Sequence, residues 1–331
     1  HLKNVLGQIQ AYGLYCHWVA PFPAVDDNCT LAHWMPVEQE PPTSSALGIW
    51  RDGVLYVQSK AVRLEHKYMQ WILQDLEDTR NMADALDRLE IPYTWHKVIP
   101  FIGELTPAPI IKDPNAVVMF GSYSLWRYAQ ANNLKPGVFK IRPFVHETSW
   151  HPFLLNGADA LFSTLRDVPE QLPDDGKDWF LRPVDDSKEA PGTVRSTGDI
   201  IALANKVLAL QEHEIPKGSL RHDSELIFTQ PAHILKEWRL WAVGDEIVTF
   251  SLYKEGSRVV YRHEIDDDAL EFAKMLVEEN PSYAPAYVID ICRTDDGLKM
   301  LETNCINAAG FYEADLLQLV SSIDKLSVGS Q

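Results

Sequence analysis

Three residues near the C-terminal end carry the clearest chemistry: Asp290, Glu302 and Asn304. They stand in a stretch that reads as strand, turn, strand, with Ala286–Arg293 leading into Thr294-Asp295-Asp296-Gly297 and returning through Leu298–Asn304. A three-residue loop from Asp295 to Gly297 suits a type I turn followed by a left-handed residue. Glycine takes that conformation without steric penalty. Such a loop sets Asp290 opposite Glu302, and cross-strand partners share a sheet face. Alternation along the strand adds Asn304 to that face. Their neighbours Ile289, Ile291, Met300 and Leu301 suggest a partly buried sheet. Two carboxylates there repel each other unless a positive group intervenes. A hard dication answers this, and Mg²⁺ is commonly held by one or two carboxylates plus substrate phosphates. An ordinary hairpin with one solvated polar face has the same spacing.

Cations suited to phosphate lie upstream. Trp179–Val184 reads as a strand carrying Arg182, followed by a polar loop, Asp185 to Thr193, with Lys188 and Gly192. A cation beside a loop that closes suits a polyphosphate; a charged surface loop has the same composition. Glu225–Gln230 is apolar and passes through Pro231, Ala232, His233 and Ile234 into a second strand, Lys236–Val243. Alternation puts Glu237, Arg239 and Trp241 on one face and Trp238, Leu240 and Ala242 on the other. Gly244-Asp245 turns the chain into Glu246–Tyr253, so Arg239 and Lys254 reach one surface. A cross-strand ion pair of Glu237 with Arg or Lys is the structural alternative.

The remaining elements must position these groups. Asp52-Gly53 marks a hairpin over residues 48–58. Apolar residues from Glu65 to Leu89 recur at three- and four-residue steps and predict a helix, ended by Ile91-Pro92. Tyr93–Phe101 and Ala116–Phe120 read as extended, and Gly121-Ser122 opens a helix over Tyr123–Asn132. Lys135-Pro136-Gly137 is a turn, and Val138–Phe144 a strand with Lys140 and Arg142 on one face. Leu161–Leu165 reads as helix and Pro169–Lys177 as loop. Arg258–Arg262 is a strand; Asp199–Glu212 and Asp268–Glu278 are helices. Alternating strands and helices suggest an α/β unit before the strand-rich part.

Bulk properties narrow the function. The 331 residues allow two domains. The net charge of −17 opposes a phosphate-backbone partner and disfavours nucleic acid. No apolar run approaches the roughly 18–20 residues of a membrane span. The four cysteines form no CxxC pair and no disulfide framework, which fits a reducing cytoplasm. Cys305 reads as a buried thiol. The histidines are too scattered for a metal site. A homodimer is the default assembly.

Taken together, these pieces resemble the ATP-grasp superfamily over about residues 95–320. The order matches: a cation-bearing strand before a small loop, a helix, an apolar strand into a hinge, Glu237-Trp-Arg239, the Tyr253-Lys254 strand end, then Asp290 and Glu302-Thr-Asn304 with Ala-Ala-Gly beyond. Arg182 to Lys188 with Gly192, Phe120-Gly-Ser and Pro136-Gly137-Val-Phe look closest to a divergent, mostly uncharacterised bacterial and viral clade. The resemblance implies an α+β fold of two subdomains clasping ATP, preceded by a small α/β pre-ATP-grasp domain. The domains expected are an irregular segment at 1–46, the α/β domain at 47–145 and the ATP-grasp domain at 146–325.

By resemblance, Arg182 (where the family usually has lysine) and Lys188 meet the phosphates. Gln230, Ala232, His233 and Ile234 meet adenine, and Lys140 and Glu237 complete the nucleotide set. Arg239 and Lys254 contact the γ-phosphate or an acyl-phosphate. Asp290, Glu302 and Asn304 bind Mg²⁺. The implied activity is ligation of a small-molecule or peptide carboxylate to an amine through an acyl-phosphate. The alternatives are an ATP-dependent phosphotransferase and a nucleotide-binding module without turnover. A histidine- and tryptophan-rich N-terminus that captures a macromolecule is a further one.

Overall fold

The computed structural model describes residues 49–51, 54–56 and 69–326, apart from 100–102, 123, 156, 158–159, 173–175, 185–189, 191 and 217. The chain divides into residues 1–67 and 68–331. In the first unit, β1 (Ile49–Arg51) pairs antiparallel with β2 (Val54–Tyr56), Arg51 opposite Val54. This agrees with the hairpin expected around Asp52-Gly53. The irregular segment expected at 1–46 lies outside the described residues.

The second unit opens with a mainly parallel sheet: β3 (Gln70–Gln74), β4 (Tyr93–Val98), β5 (Leu105–Thr106), β6 (Val117–Phe120) and β7 (Pro136–Gly137), in the order β5-β4-β3-β6-β7. Only β5 runs antiparallel to its neighbour. Two helices accompany it, α1 (Glu77–Arg88) and α2 (Ser124–Ala131). The helix expected from Glu65 to Leu89 is therefore shorter, and its first part is β3. The reason lies in Trp71-Ile72-Leu73. Trp71 and Leu73 enter one apolar core and Ile72 another. A parallel strand buried on both faces reads as a continuous apolar run, so periodicity alone misassigns it. The strand expected at Val138–Phe144 also fails: residues 138–143 have no regular structure. The Phe139 N–H is taken by Asn307 Oδ1 at 2.7 Å rather than by a neighbouring strand.

Gly121 follows β6 at φ +154°, and a Cβ there would lie 2.5 Å from Gln74 Cβ and 2.8 Å from Leu125 Cδ1. Gln74 Oε1 meanwhile accepts from the Ser122 N–H and hydroxyl, both at 2.8 Å. Gly121→Ala must push this buried amide aside, and overpacking of that kind costs about 1–3 kcal/mol. Denaturant unfolding of the variant is expected to show that loss; an unchanged midpoint would contradict the packing described.

Two antiparallel sheets follow. The first contains β8 (Leu161–Thr164), β9 (Asp178–Pro183), β10 (Thr193–Ser196) and β11 (Glu225–Thr229), ordered β10-β9-β11-β8. Helices α3 (Val168–Gln171) and α4 (Thr197–Leu208) back it, sharing a core of Trp179, Leu181, Ile200, Ala204 and Phe228. Two expectations are corrected here. Leu161–Leu165 is a strand rather than a helix, because its backbone pairs with β11. The loop expected at Pro169–Lys177 begins as α3.

The second antiparallel sheet runs β14-β13-β12-β15-β16, with β12 (Ile234–Val243), β13 (Glu246–Glu255), β14 (Arg258–Arg262), β15 (Ala286–Thr294) and β16 (Gly297–Asn304). Trp238, Leu240 and Ala242 pack with Ala269, Ala273 and Leu276 of α5 (Asp267–Glu279). On the opposite face, Trp241 and Val243 join Trp71, Phe120 and residues of α6 (Leu316–Asp324). Asp324 ties α6 to β3, accepting from Trp71 Nε1 at 3.1 Å and the Met69 N–H at 3.2 Å. The alternation expected along β12 thus holds, and it leaves Glu237 and Arg239 on the face that Trp241 shares.

Candidate active site

The β15–β16 hairpin places Asp290 directly opposite Glu302, but not by the route expected. The turn holds two residues, Asp295 and Asp296, and Thr294 pairs with Gly297 at φ +108°. That register alone would set Asp290 against Leu301. A β-bulge between the Asp290 and Ile291 pairings, where Met300 faces Ile291, absorbs Leu301 and restores Glu302 to Asp290. Met300 also accepts a hydrogen bond at 2.9 Å from Leu155 N. Bulges re-aim side chains beside functional sites, and this one brings the polar trio together. Asn304 Nδ2 donates to Glu302 Oε1 at 2.9 Å and to Asp290 Oδ2 at 3.4 Å.

Each carboxylate has an arginine. Arg239, opposite Asp290 on β12, grips it with Nε at 2.9 Å and Nη2 at 2.8 Å. This is the fork geometry in which guanidinium and carboxylate match. Both side chains are deeply buried, at 11% and 2% exposure. Burial works against the Arg239 charge, but the Asp290 carboxylate overrides it and holds the guanidinium above its ordinary pKa. Arg182 reaches across from β9 to bond Glu302, with its guanidinium over the Phe144 ring at 5.2 Å. The two antiparallel sheets therefore meet at an ion pair, Arg182–Glu302.

A second bulge sits in β13. Glu237 pairs with Lys254 and Trp238 with Leu252, so Tyr253 is the extra residue. As a result both side chains meet Glu237, Lys254 Nζ at 2.5 Å and the Tyr253 hydroxyl at 2.7 Å. Burial first, then the Asp290 and Glu237 carboxylates, push the Tyr253 phenol well above its usual pKa, so it stays a donor. The Arg239 guanidinium also lies 4.9 Å from the Tyr312 ring, and its Nη1 reaches Gly310 O at 3.4 Å. Tyr312 and Tyr261 had no signal in the sequence beyond the Ala-Ala-Gly that precedes Phe311-Tyr312.

The other expected residues are placed more loosely. Gln230, Ala232 and His233 form the irregular connection from β11 to β12, where Ile234 begins, and so join the two antiparallel sheets. His233 is exposed and lies 3.0 Å from Asp295. Lys140 is exposed beside Phe139, whose carbonyl and N–H are bonded to Cys305 and Asn307 just past Asn304. Arg142 pairs with Glu147. Lys188 lies outside the described residues.

The donor set suits a hard dication. Two carboxylates and an amide converge, with neither imidazole nor thiolate among them. Among the described residues no cluster of three or more His, Cys, Asp and Glu side chains could hold a metal, so a three-donor site here requires the Asn304 amide. Cys292, paired with Glu237 across the sheet, is not a nucleophile: burial pushes its thiol up to about 12. Maleimide at pH 8 is expected to leave Cys292 unmodified in the native protein and to label it after denaturation; rapid native labelling would contradict this burial.

The fold and the site together define an ATP-grasp protein. A family model described as an ATP-grasp domain, the third family of its clade, matches residues 118–323, well over half of the chain, and the chain belongs to that family. Solved structures agree in fold. The RimK domain ATP-grasp protein from Sphaerobacter thermophilus is 13% identical, covering 78% of this chain and 100% of its own, with a TM-score of 0.51. D-alanine–D-alanine ligase from Bacillus anthracis, complexed with ATP, is 12% identical over 78% and 96%, with a TM-score of 0.51. D-cycloserine synthetase is 12% identical over 78% and 99%, at 0.50. Among curated proteins no sequence matches. No helix among the described residues is long and apolar enough to cross a membrane.

Proposed function

We propose that this protein is an ATP- and Mg²⁺-dependent, ADP-forming ligase that joins a small-molecule or peptide carboxylate to an amine. The observation that carries the reading is the convergence of Arg239, Lys254, Asp290, Glu302 and Asn304 on one sheet face, with Arg182 arriving from the other sheet. ATP lies between the two sheets, its adenine at Gln230, Ala232, His233 and Ile234. Arg182, Lys140 and Lys188 hold its phosphates. Mg²⁺ at Asp290, Glu302 and Asn304 supplies the positive charge that the triphosphate requires.

The substrate carboxylate attacks the γ-phosphorus, the bond to the ADP oxygen breaks, and an acyl-phosphate forms. The amine then attacks the carbonyl carbon, phosphate leaves, and the nitrogen loses a proton. Arg239 has five N–H donors; three are used by Asp290 and Gly310, which leaves two for a phosphoryl oxygen. Lys254, fixed by Glu237, adds a second positive charge. Catalysis of this kind is mainly positioning and charge neutralisation.

The test uses ¹⁸O-labelled carboxylates with Mg·ATP and a panel of amines. Amine-dependent ADP release with ¹⁸O appearing in phosphate is the expected result. ADP release with a stable phosphorylated product and no amine requirement would make the protein a phosphotransferase. ATP binding without any turnover across the panel would favour a nucleotide-binding module.

A further inference from the structure

Beside the proposed reaction centre stands a column of three tyrosine rings. Tyr253 stacks on Tyr312 at 5.4 Å with 27° between planes, and Tyr312 on Tyr261 at 4.9 Å with 10°. The inner end is locked, because the Tyr253 hydroxyl donates to Glu237, the partner of Lys254. The central ring lies against Arg239. Tyr312 holds its place in a left-handed backbone conformation, φ +50°, which is rare for a bulky side chain and costs energy. The outer ring is different. Tyr261 lies on β14, the edge strand of its sheet, and is 51% exposed. Among the described residues Tyr312 is its only stacking partner. Val259, two residues earlier on the same strand face, is 66% exposed and pairs with Lys254. An aromatic and apolar shelf therefore extends outward from Lys254 and Arg239.

We propose that Tyr261 is a specificity-determining residue whose open face takes an aromatic ring of the carboxylate substrate. This deepens the ligase reading and rests on it. A fourth ring continues the column, since offset stacking of aromatic faces is favourable beyond the area it buries. The ring also sits well away from the reacting group. Arg239 Cζ to the Tyr312 centroid is 4.9 Å, and Tyr312 to Tyr261 is another 4.9 Å. An extended chain advances about 3.3–3.6 Å per residue, so the geometry favours a peptide acid with its aromatic residue next to the reacting end over a free aromatic amino acid.

Calorimetry with the full chain in the presence of Mg²⁺ and a non-hydrolysable ATP analogue tests this, using Gly-Trp, Trp-Gly, Gly-Leu and Leu-Gly as probes. Tryptophan peptides are expected to bind about five-fold or more tighter than the leucine peptides. Tyr261→Phe should keep that ratio, and Tyr261→Ala should bring it close to one. Equal binding of tryptophan and leucine peptides to the wild type, or a ratio that survives Tyr261→Ala, overturns the proposal. The analogue's own binding isotherm, recorded first without peptide, separates this failure from failure of the nucleotide reading.

Discussion

Asp290→Ala is expected to destabilise the protein by about 3–5 kcal/mol, because it strands the Arg239 guanidinium in a buried site without its partner. The two groups share two charge-assisted hydrogen bonds, at 2.9 and 2.8 Å, and the Asp290 side chain is 2% exposed. Alanine leaves the positive charge in place and returns no water to it. The same substitution removes a carboxylate from the metal trio, so nucleotide binding should fall as well. A companion variant separates the two effects. Arg239→Met combined with Asp290→Leu replaces the ion pair by apolar groups, and such exchanges are often neutral or stabilising. Denaturant unfolding is expected to show a large loss for the single variant and recovery of most of it for the double one, with activity absent from both. A single variant as stable as the wild type would mean that the pair is open to water.

Arg239→Lys keeps the charge and is expected to cost roughly 10³-fold in turnover, the lower end of the range for an arginine that stabilises a phosphoryl transition state. Lysine offers a point charge on a flexible stem and cannot make the planar fork. It also loses the contact with Gly310 O and the guanidinium face against Tyr312. The expected signature is a fall in kcat with a smaller change in KM, because the missing interaction belongs to the transition state. Stability should drop far less than in Asp290→Ala, since Asp290 keeps a counter-charge. Turnover within a few-fold of the wild type would remove Arg239 from the chemistry.

Much of this site was legible in the sequence where residue identity carried the signal. Asp290, Glu302 and Asn304 were placed on one face from alternation, and so were Glu237 and Arg239. The device that aligns Asp290 with Glu302 was not legible. It is a bulge at Leu301, set by backbone pairing of β16 with both β15 and the Leu154–Leu155 segment, and no local residue preference announces it. The bulge at Tyr253 was hidden for the same reason. Misread elements share a cause as well. Gln70–Gln74 is apolar on both faces, and Leu161–Thr164 is an edge strand whose pairing partner lies more than sixty positions away. In both cases tertiary pairing overrides the local pattern. The tyrosine column joins residues from two strands and a loop, so only the folded chain brings it together.

The central claim is that these residues assemble a Mg²⁺-dependent ATP site, and calorimetric titration of ATP tests it most directly. Wild-type protein and Glu302→Gln, whose folding is verified by circular dichroism, would each be titrated with Mg²⁺ and with EDTA. The account predicts binding to the wild type that requires Mg²⁺ and is much weaker in Glu302→Gln. No binding by the wild type at millimolar ATP, or equal affinity with EDTA, would contradict it.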